Sequence, residues 1–225
     1  MFKASKTPIT CLDLESKTRY DSPVVVDQLS RDFFHKCYIC GSKIETDFRV
    51  EHFVPHLEDE GKKYDWNNLF LACDYCNSIK SSTFNNNGKN IINSTQFDPV
   101  LFIEHKIDYP DSHIRFSIII DSVESVNSIE LLKKIYISKE NESAAYVMKR
   151  EALIKKLSRS LNVLTNHLYE IIEENTETSN YEFLKHKISS ELHISNQFYE
   201  FKRTFILNNE LFSRFVIEKL GISLR

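Results

Sequence analysis

The chain has 225 residues, 41% hydrophobic and 27% charged, an ordinary globular mixture that excludes wholesale disorder and, at roughly 150 residues per domain, allows one or two domains. Its 29 basic and 32 acidic residues give a formal net charge of −3, which excludes a uniformly basic coat that grips nucleic acid without specificity; such contact has to come from a local patch, a metal or a partner. No run approaches the ~20 apolar residues that cross a bilayer, and residues 1–6 carry no apolar core behind their lysines, so neither a membrane span nor a secretory leader is expected and the expected compartment is the cytoplasm.

Residues 1 to about 30 are mostly polar around the run Val24-Val25-Val26, and residues 32–36 are expected to form a short helix. From Cys37 to about Asn90 the chain is turn-rich, with short apolar runs at Phe48-Arg49-Val50 and Leu69-Phe70-Leu71. The asparagine- and glycine-rich tract 85–90 is a loop signal that closes this module. Residues 97–120 read as extended, with Leu101-Phe102-Ile103, a break at Pro110, and a β-branched run from Ile114 to Ile120. Beyond about Ser125 the period becomes helical: Leu153, Leu157, Leu161, Leu164, Leu168 and Ile171 recur at steps of three and four. Phe198, Phe201, Phe205, Phe212 and Phe215 repeat the pattern, Asn208-Asn209 is expected to split that segment, and Gly221 stands where a helix would end. Residues 131–160 carry eight basic and three acidic side chains, whereas 168–182 carry five acidic and no basic ones. A solvated helix surface accounts for both runs, and a phosphate- or partner-facing stripe is the alternative. The expected division is residues 1–95, with a core at 30–90, and a mainly helical region 96–225.

Four of the five cysteines form two C-x-x-C pairs, Cys37/Cys40 and Cys73/Cys76, with 32 residues between them. Two such pairs supply the tetrahedral four-thiolate cage that Zn²⁺ prefers, and Gly41 permits the tight backbone of a metal knuckle. A thioredoxin-like redox pair would need a βαβ context that is missing. Four protein ligands leave no open position, so this zinc would be structural. Cys11 is left over and is read as a small apolar residue.

Between the pairs lie Arg49-Val50-Glu51-His52-Phe53-Val54-Pro55-His56 and Trp66-Asn67-Asn68-Leu69, and the second pair runs into Asn77-Ser78-Ile79-Lys80. This order, an acid-His pair before Pro, then Asn-Leu, then C-x-x-C-N-x-x-K, resembles the HNH endonucleases with a zinc-stapled ββα-metal core, over about residues 30–90. The fold implied is α+β, a ββα-metal module followed by helices. Neighbours on a strand point to opposite faces, so Glu51 and His52 can address a metal and a water separately. His52 suits the general base because its pKa lies near neutrality, and Glu51 suits Mg²⁺ or Mn²⁺ as a hard oxygen ligand. Asn77, opening a helix, would be the second metal ligand, with Lys80 one turn on as a phosphate contact. The resemblance implies these same roles, with Asn68 as the middle Asn bracing the loop that carries the His. It departs from many relatives in having Glu rather than Asp at position 51 and Asn rather than His at 77. His56 is read either as a further ligand or phosphate contact or as a loop residue, and Glu104-His105 as a chance repeat of the acid-His dipeptide.

The fuller pattern Glu-His-Phe-x-Pro, Asp-Trp-x-Asn-Leu-Phe and Cys-Asn-x-x-Lys, with Phe97-Asp98-Pro99 behind it, is similar to the HNH nuclease component of Septu-type antiphage systems, including those attached to retrons. That resemblance implies a nucleic-acid substrate, DNA by default and RNA or tRNA as the alternative, and an ABC/SMC-like ATPase partner, with a retron complex in some members. A competing class is a zinc-ribbon module that binds nucleic acid or protein without cutting it.

Overall fold

The computed structural model describes residues 1–108, 113–137, 142–174 and 178–224, so that Pro110, Lys139, Glu140 and Glu177 lie outside the described residues. The chain runs through α1 (Leu12–Glu15), α2 (Pro23–Asp32), β1 (Phe48–His52), α3 (Glu60–Lys63), β2 (Leu69–Cys73), α4 (Asp74–Lys80), β3 (Ile103–Asp108), β4 (His113–Ile118), α5 (Val123–Tyr136), α6 (Ala144–Glu173), α7 (Ser179–Glu191), α8 (Tyr199–Leu207) and α9 (Glu210–Arg214), and ends in a π turn at Phe215–Lys219. It is an α+β architecture. Among the described residues no helix is long and apolar enough to cross a membrane.

The helix expected at 32–36 lies earlier, at α2. Ser22 stands before Pro23, which occupies the first helical turn where its missing N–H costs nothing. Phe34 and His35 take positive φ, so the chain turns out of the helix just before Cys37. β1 and β2 pair antiparallel, from Phe48 opposite Cys73 to His52 opposite Leu69. The first four residues of β2 are all buried, because both α2 and α4 pack against this strand. β2 then runs without a linker into α4, with Cys73 as its N-cap residue.

β3 and β4 form a second antiparallel pair, with α8 packed on β3 and α5 on β4. His105 is buried in β3 against the rings of Phe116 and Phe201, so the histidine of the second acid-His dipeptide belongs to the core, while Glu104 accepts from Ser117 and Asn208 at the surface. Asn209 caps α9, as the Asn208-Asn209 break predicts, and Gly221 follows the π turn at φ +67°. α7 carries only three buried positions, Tyr181, Leu184 and Ile188. That narrow stripe is why no helix stands out there in the sequence.

One hydrophobic core runs from Phe2 and Phe33 through Cys37 and Phe70 to Ile103, Leu132, Leu157 and Phe201. The front of the α6 stripe (Leu153, Leu157, Leu161) joins it, while the rear (Leu164, Leu168, Ile171) builds a second cluster with α7, α9 and the terminal turn. Each fully buried leucine or isoleucine contributes about 1.5–3 kcal/mol, so α6 is held by both clusters. The turn after Cys40 is fastened directly to the helical region: Phe198 N–H donates to the Gly41 carbonyl at 2.9 Å, and the Tyr136 hydroxyl donates to the Cys40 carbonyl at 2.7 Å. Gly41 has φ +72°, and a Cβ there would lie 2.8 Å from a carboxylate oxygen of Glu200. The left-handed backbone favours glycine here, and any side chain would also have to displace the Glu200 carboxylate.

Candidate metal centre and active site

The left-handed turn after α2 delivers Cys37 and Cys40, and the junction of β2 with α4 delivers Cys73 and Cys76. The four Sγ atoms lie within 4.8 Å of one another. Zn–S bonds of about 2.3 Å would set them about 3.8 Å apart at the corners of a tetrahedron. Cys37, Cys40 and Cys76 are buried and Cys73 is half-buried. Burial pushes the Cys76 thiol up, and the neighbouring thiols add to it. At Cys37 burial acts in the same sense, but hydrogen bonds from Cys40, Cys73 and Cys76 overcome it and hold that thiol well below its ordinary value. Three neighbouring thiols thus converge on the Cys37 sulfur, and four sulfurs gathered in this way are a donor set that fits a soft divalent cation. The cluster can hold zinc.

β1 ends the metal unit at Glu51 and His52, which face opposite ways. Glu51 is buried beneath α4, where Oε1 accepts from Lys80 Nζ at 2.6 Å. Oε2 accepts no hydrogen bond among the described residues. Burial outweighs the ammonium beside it and raises the Glu51 pKa. Lys80 corrects its sequence reading: it is fully buried and also donates to the His52 carbonyl at 3.1 Å, so its ammonium anchors α4 to β1 instead of reaching a phosphate. Lys80→Met would leave that carboxylate buried without a cation, and urea unfolding should register a loss of about 3–5 kcal/mol. Adding Glu51→Gln to the same chain should recover much of it.

His52 lies half-buried on the other face, with Nε2 3.0 Å from the Lys63 carbonyl. A carbonyl only accepts, so Nε2 carries the proton and Nδ1 keeps its lone pair. Burial lowers the His52 pKa below the usual 6.5, the Lys63 carbonyl opposes the shift, and His56 reinforces it. The balance favours the neutral imidazole. His56 sits beside it, ring centroids 4.6 Å apart, and accepts from Glu58 N–H through Nδ1. Pro55 does keep this stretch out of a helix, and the loop alone brings the two rings together.

Asn68 ends the loop that begins at His52. Its Oδ1 accepts from Val54 N–H at 2.7 Å, and its Nδ2 donates to the carbonyls of Val54 and Lys62 at 2.8 and 2.9 Å. Residue 62 adjoins the carbonyl that holds His52, so one amide braces both walls of the histidine's pocket. Asn68→Ala leaves these buried groups unpaired and should destabilise the chain by about 1–3 kcal/mol in urea unfolding. Asn77 lies in the second turn of α4, half-buried, with no side-chain hydrogen bond among the described residues.

Three supports carry no sequence signal, because each comes from outside the motif. Tyr20 packs edge-on against His52 at 4.7 Å. Lys6 donates to the carbonyls of Trp66 and Leu69, and its ammonium lies 3.9 Å over the Trp66 ring. Its burial pushes the pKa down to about 7. Asn85, at positive φ in the expected loop, donates to the Phe53 carbonyl at 2.6 Å.

The geometry defines a class: a two-stranded ribbon and a helix brought together at four clustered cysteines, with a half-buried histidine at the ribbon's end. Residues 37–83 match the HNH endonuclease family, and that match supports a nuclease as the coarse reading of the chain. No curated protein and no solved structure matched the chain.

Proposed function

We propose that the chain is a metal-dependent endonuclease that hydrolyses phosphodiester bonds, with His52 as general base. The observation that carries this reading is the bond from His52 Nε2 to the Lys63 carbonyl, which places the ring proton on Nε2 and leaves Nδ1 as the proton acceptor. Nδ1 would take a proton from water, the resulting hydroxide would attack phosphorus, and the P–O bond to the departing sugar oxygen would break. Glu51 through Oε2 and Asn77 through its amide oxygen would hold Mg²⁺ or Mn²⁺, which when bound offsets charge on the departing oxygen. Asn68 and Lys80 act at a distance from the reacting atoms, the first by fixing the loop and the second by fixing α4 against β1. Cys37, Cys40, Cys73 and Cys76 would hold structural zinc.

By its resemblance to the Septu-type component, the chain would act in antiphage defence in the cytoplasm, with an ABC/SMC-like ATPase and, in some settings, a retron complex. Residues 1–95 would form the nuclease unit and 96–225 the region that serves it. A second reading, a zinc-stapled module that binds without cutting, draws support from the Glu51–Lys80 pair, since an ammonium already neutralises the carboxylate. Labelled duplex DNA, single-stranded DNA and tRNA, incubated with the protein and Mg²⁺ or Mn²⁺, separate the two. EDTA-sensitive cutting of any of them supports the nuclease, and intact substrates throughout leave the binding module.

A further inference from the structure

The part of the basic run that falls on α6 has a definite place in the fold. On α6, Lys149, Ala152, Lys156, Arg159 and Val163 recur at helical steps as an exposed stripe flanking the buried Leu153, Leu157 and Leu161, and Leu153 lines the foot of the same groove. The cationic part, from 149 to 159, extends over about 15 Å of helix. This stripe walls a groove of about 500 Å³ whose other wall is the segment 42–47 that follows the cysteine knuckle. A second hollow of about 310 Å³ continues it, sharing Lys43, Lys156 and Arg159. Five basic side chains line the first groove against three acidic ones, on a chain whose net charge is −3. Two of the five are compensated, Lys149 by Asp74 at 2.9 Å and Lys156 by Glu45 at 3.6 Å. Lys43, Lys155 and Arg159 are exposed and have no ion-pair partner among the described residues.

We propose that this groove holds the sugar–phosphate backbone of the nucleic-acid substrate beside the cut. The inference rests on the nuclease reading and adds a substrate track built largely by α6, outside the stretch that matches the HNH family. Asp47 lines the groove, and His52 stands five residues along the extended chain, about 17 Å away. With one phosphate per about 3.4 Å of axis on each strand of a duplex, a backbone in the groove reaches His52 within a few nucleotides. The module alone holds seven basic and eight acidic residues between 36 and 90, so α6 supplies the cations it lacks.

The test uses the full chain carrying His52→Ala, so that binding is read without cutting. Fluorescence anisotropy of a labelled DNA duplex with Mg²⁺ is followed over a range of salt concentrations. Lys155→Gln/Arg159→Gln should lower affinity at least about tenfold and flatten the slope of log affinity against log salt by about two. Lys187→Gln/Lys219→Gln, the same change of charge on α7 and the terminal turn, should alter neither. Unchanged affinity in the first double variant, equal loss in both, or a chain that binds no duplex would overturn the track; the first outcome, as expected if the groove takes an acidic protein, leaves the His52 assignment standing. Persistent cutting by the His52→Ala chain would instead remove the assignment of the base, while the anisotropy result still decides the groove.

Discussion

His52→Ala is expected to lower Mg²⁺- or Mn²⁺-dependent cleavage by about 10²–10⁴-fold, the range a positioned general base contributes. Folding and zinc content should persist, because among the described residues the His52 side chain makes one hydrogen bond, to the Lys63 carbonyl, and two ring contacts. The pH profile carries the same signature. Burial lowers the pKa of this imidazole, and the base works in its neutral form. Cleavage should therefore rise with pH through a midpoint below 6.5 and be level by neutrality. A midpoint at or above 6.5 would contradict the buried, neutral imidazole. Full activity in the alanine variant would transfer the proton-accepting role away from His52.

The second large effect concerns the cysteine cluster. Stripping the metal, or replacing Cys73 by alanine, should remove binding free energy of the order of 10 kcal/mol, comparable to the whole stability of a typical domain. Amide exchange should then rise across residues 37–80. The loss should also reach α5 and α8, since Tyr136 and Phe198 hold the carbonyls of Cys40 and Gly41. Zinc analysis should find one ion per native chain. Near-native exchange protection across 37–80 after complete removal would show that the apolar packing around Tyr38 and Phe70 suffices alone.

The cysteine cage and the strand-end histidine were legible in the sequence because their chemistry demands set residue types at set spacings. The α6 stripe was legible for the same reason, a periodicity repeated over many turns. Lys80 was misread: its place one turn beyond Asn77 was correct, but spacing along a helix says nothing of what lies beneath that face, and Glu51 lies there. Tyr20 and Lys6 left no trace, since they reach the histidine loop from the start of the chain without a repeated pattern. α2 has a local sign, Ser22 before Pro23, but the three consecutive valines that follow show no helical period.

The division of α6 between two apolar clusters has a consequence for how damage travels. A single rod ties the front cluster, which includes the cysteine knuckle, to the rear one formed with α7, α9 and the terminal turn. Lesions at Phe212 or Val216 should fray the tail of the rod and stop near Leu164, sparing the ribbon and its histidine. Lesions at Leu157 or Phe201 strike the floor on which the knuckle stands. The molecule thus has one end that tolerates wear and another that does not.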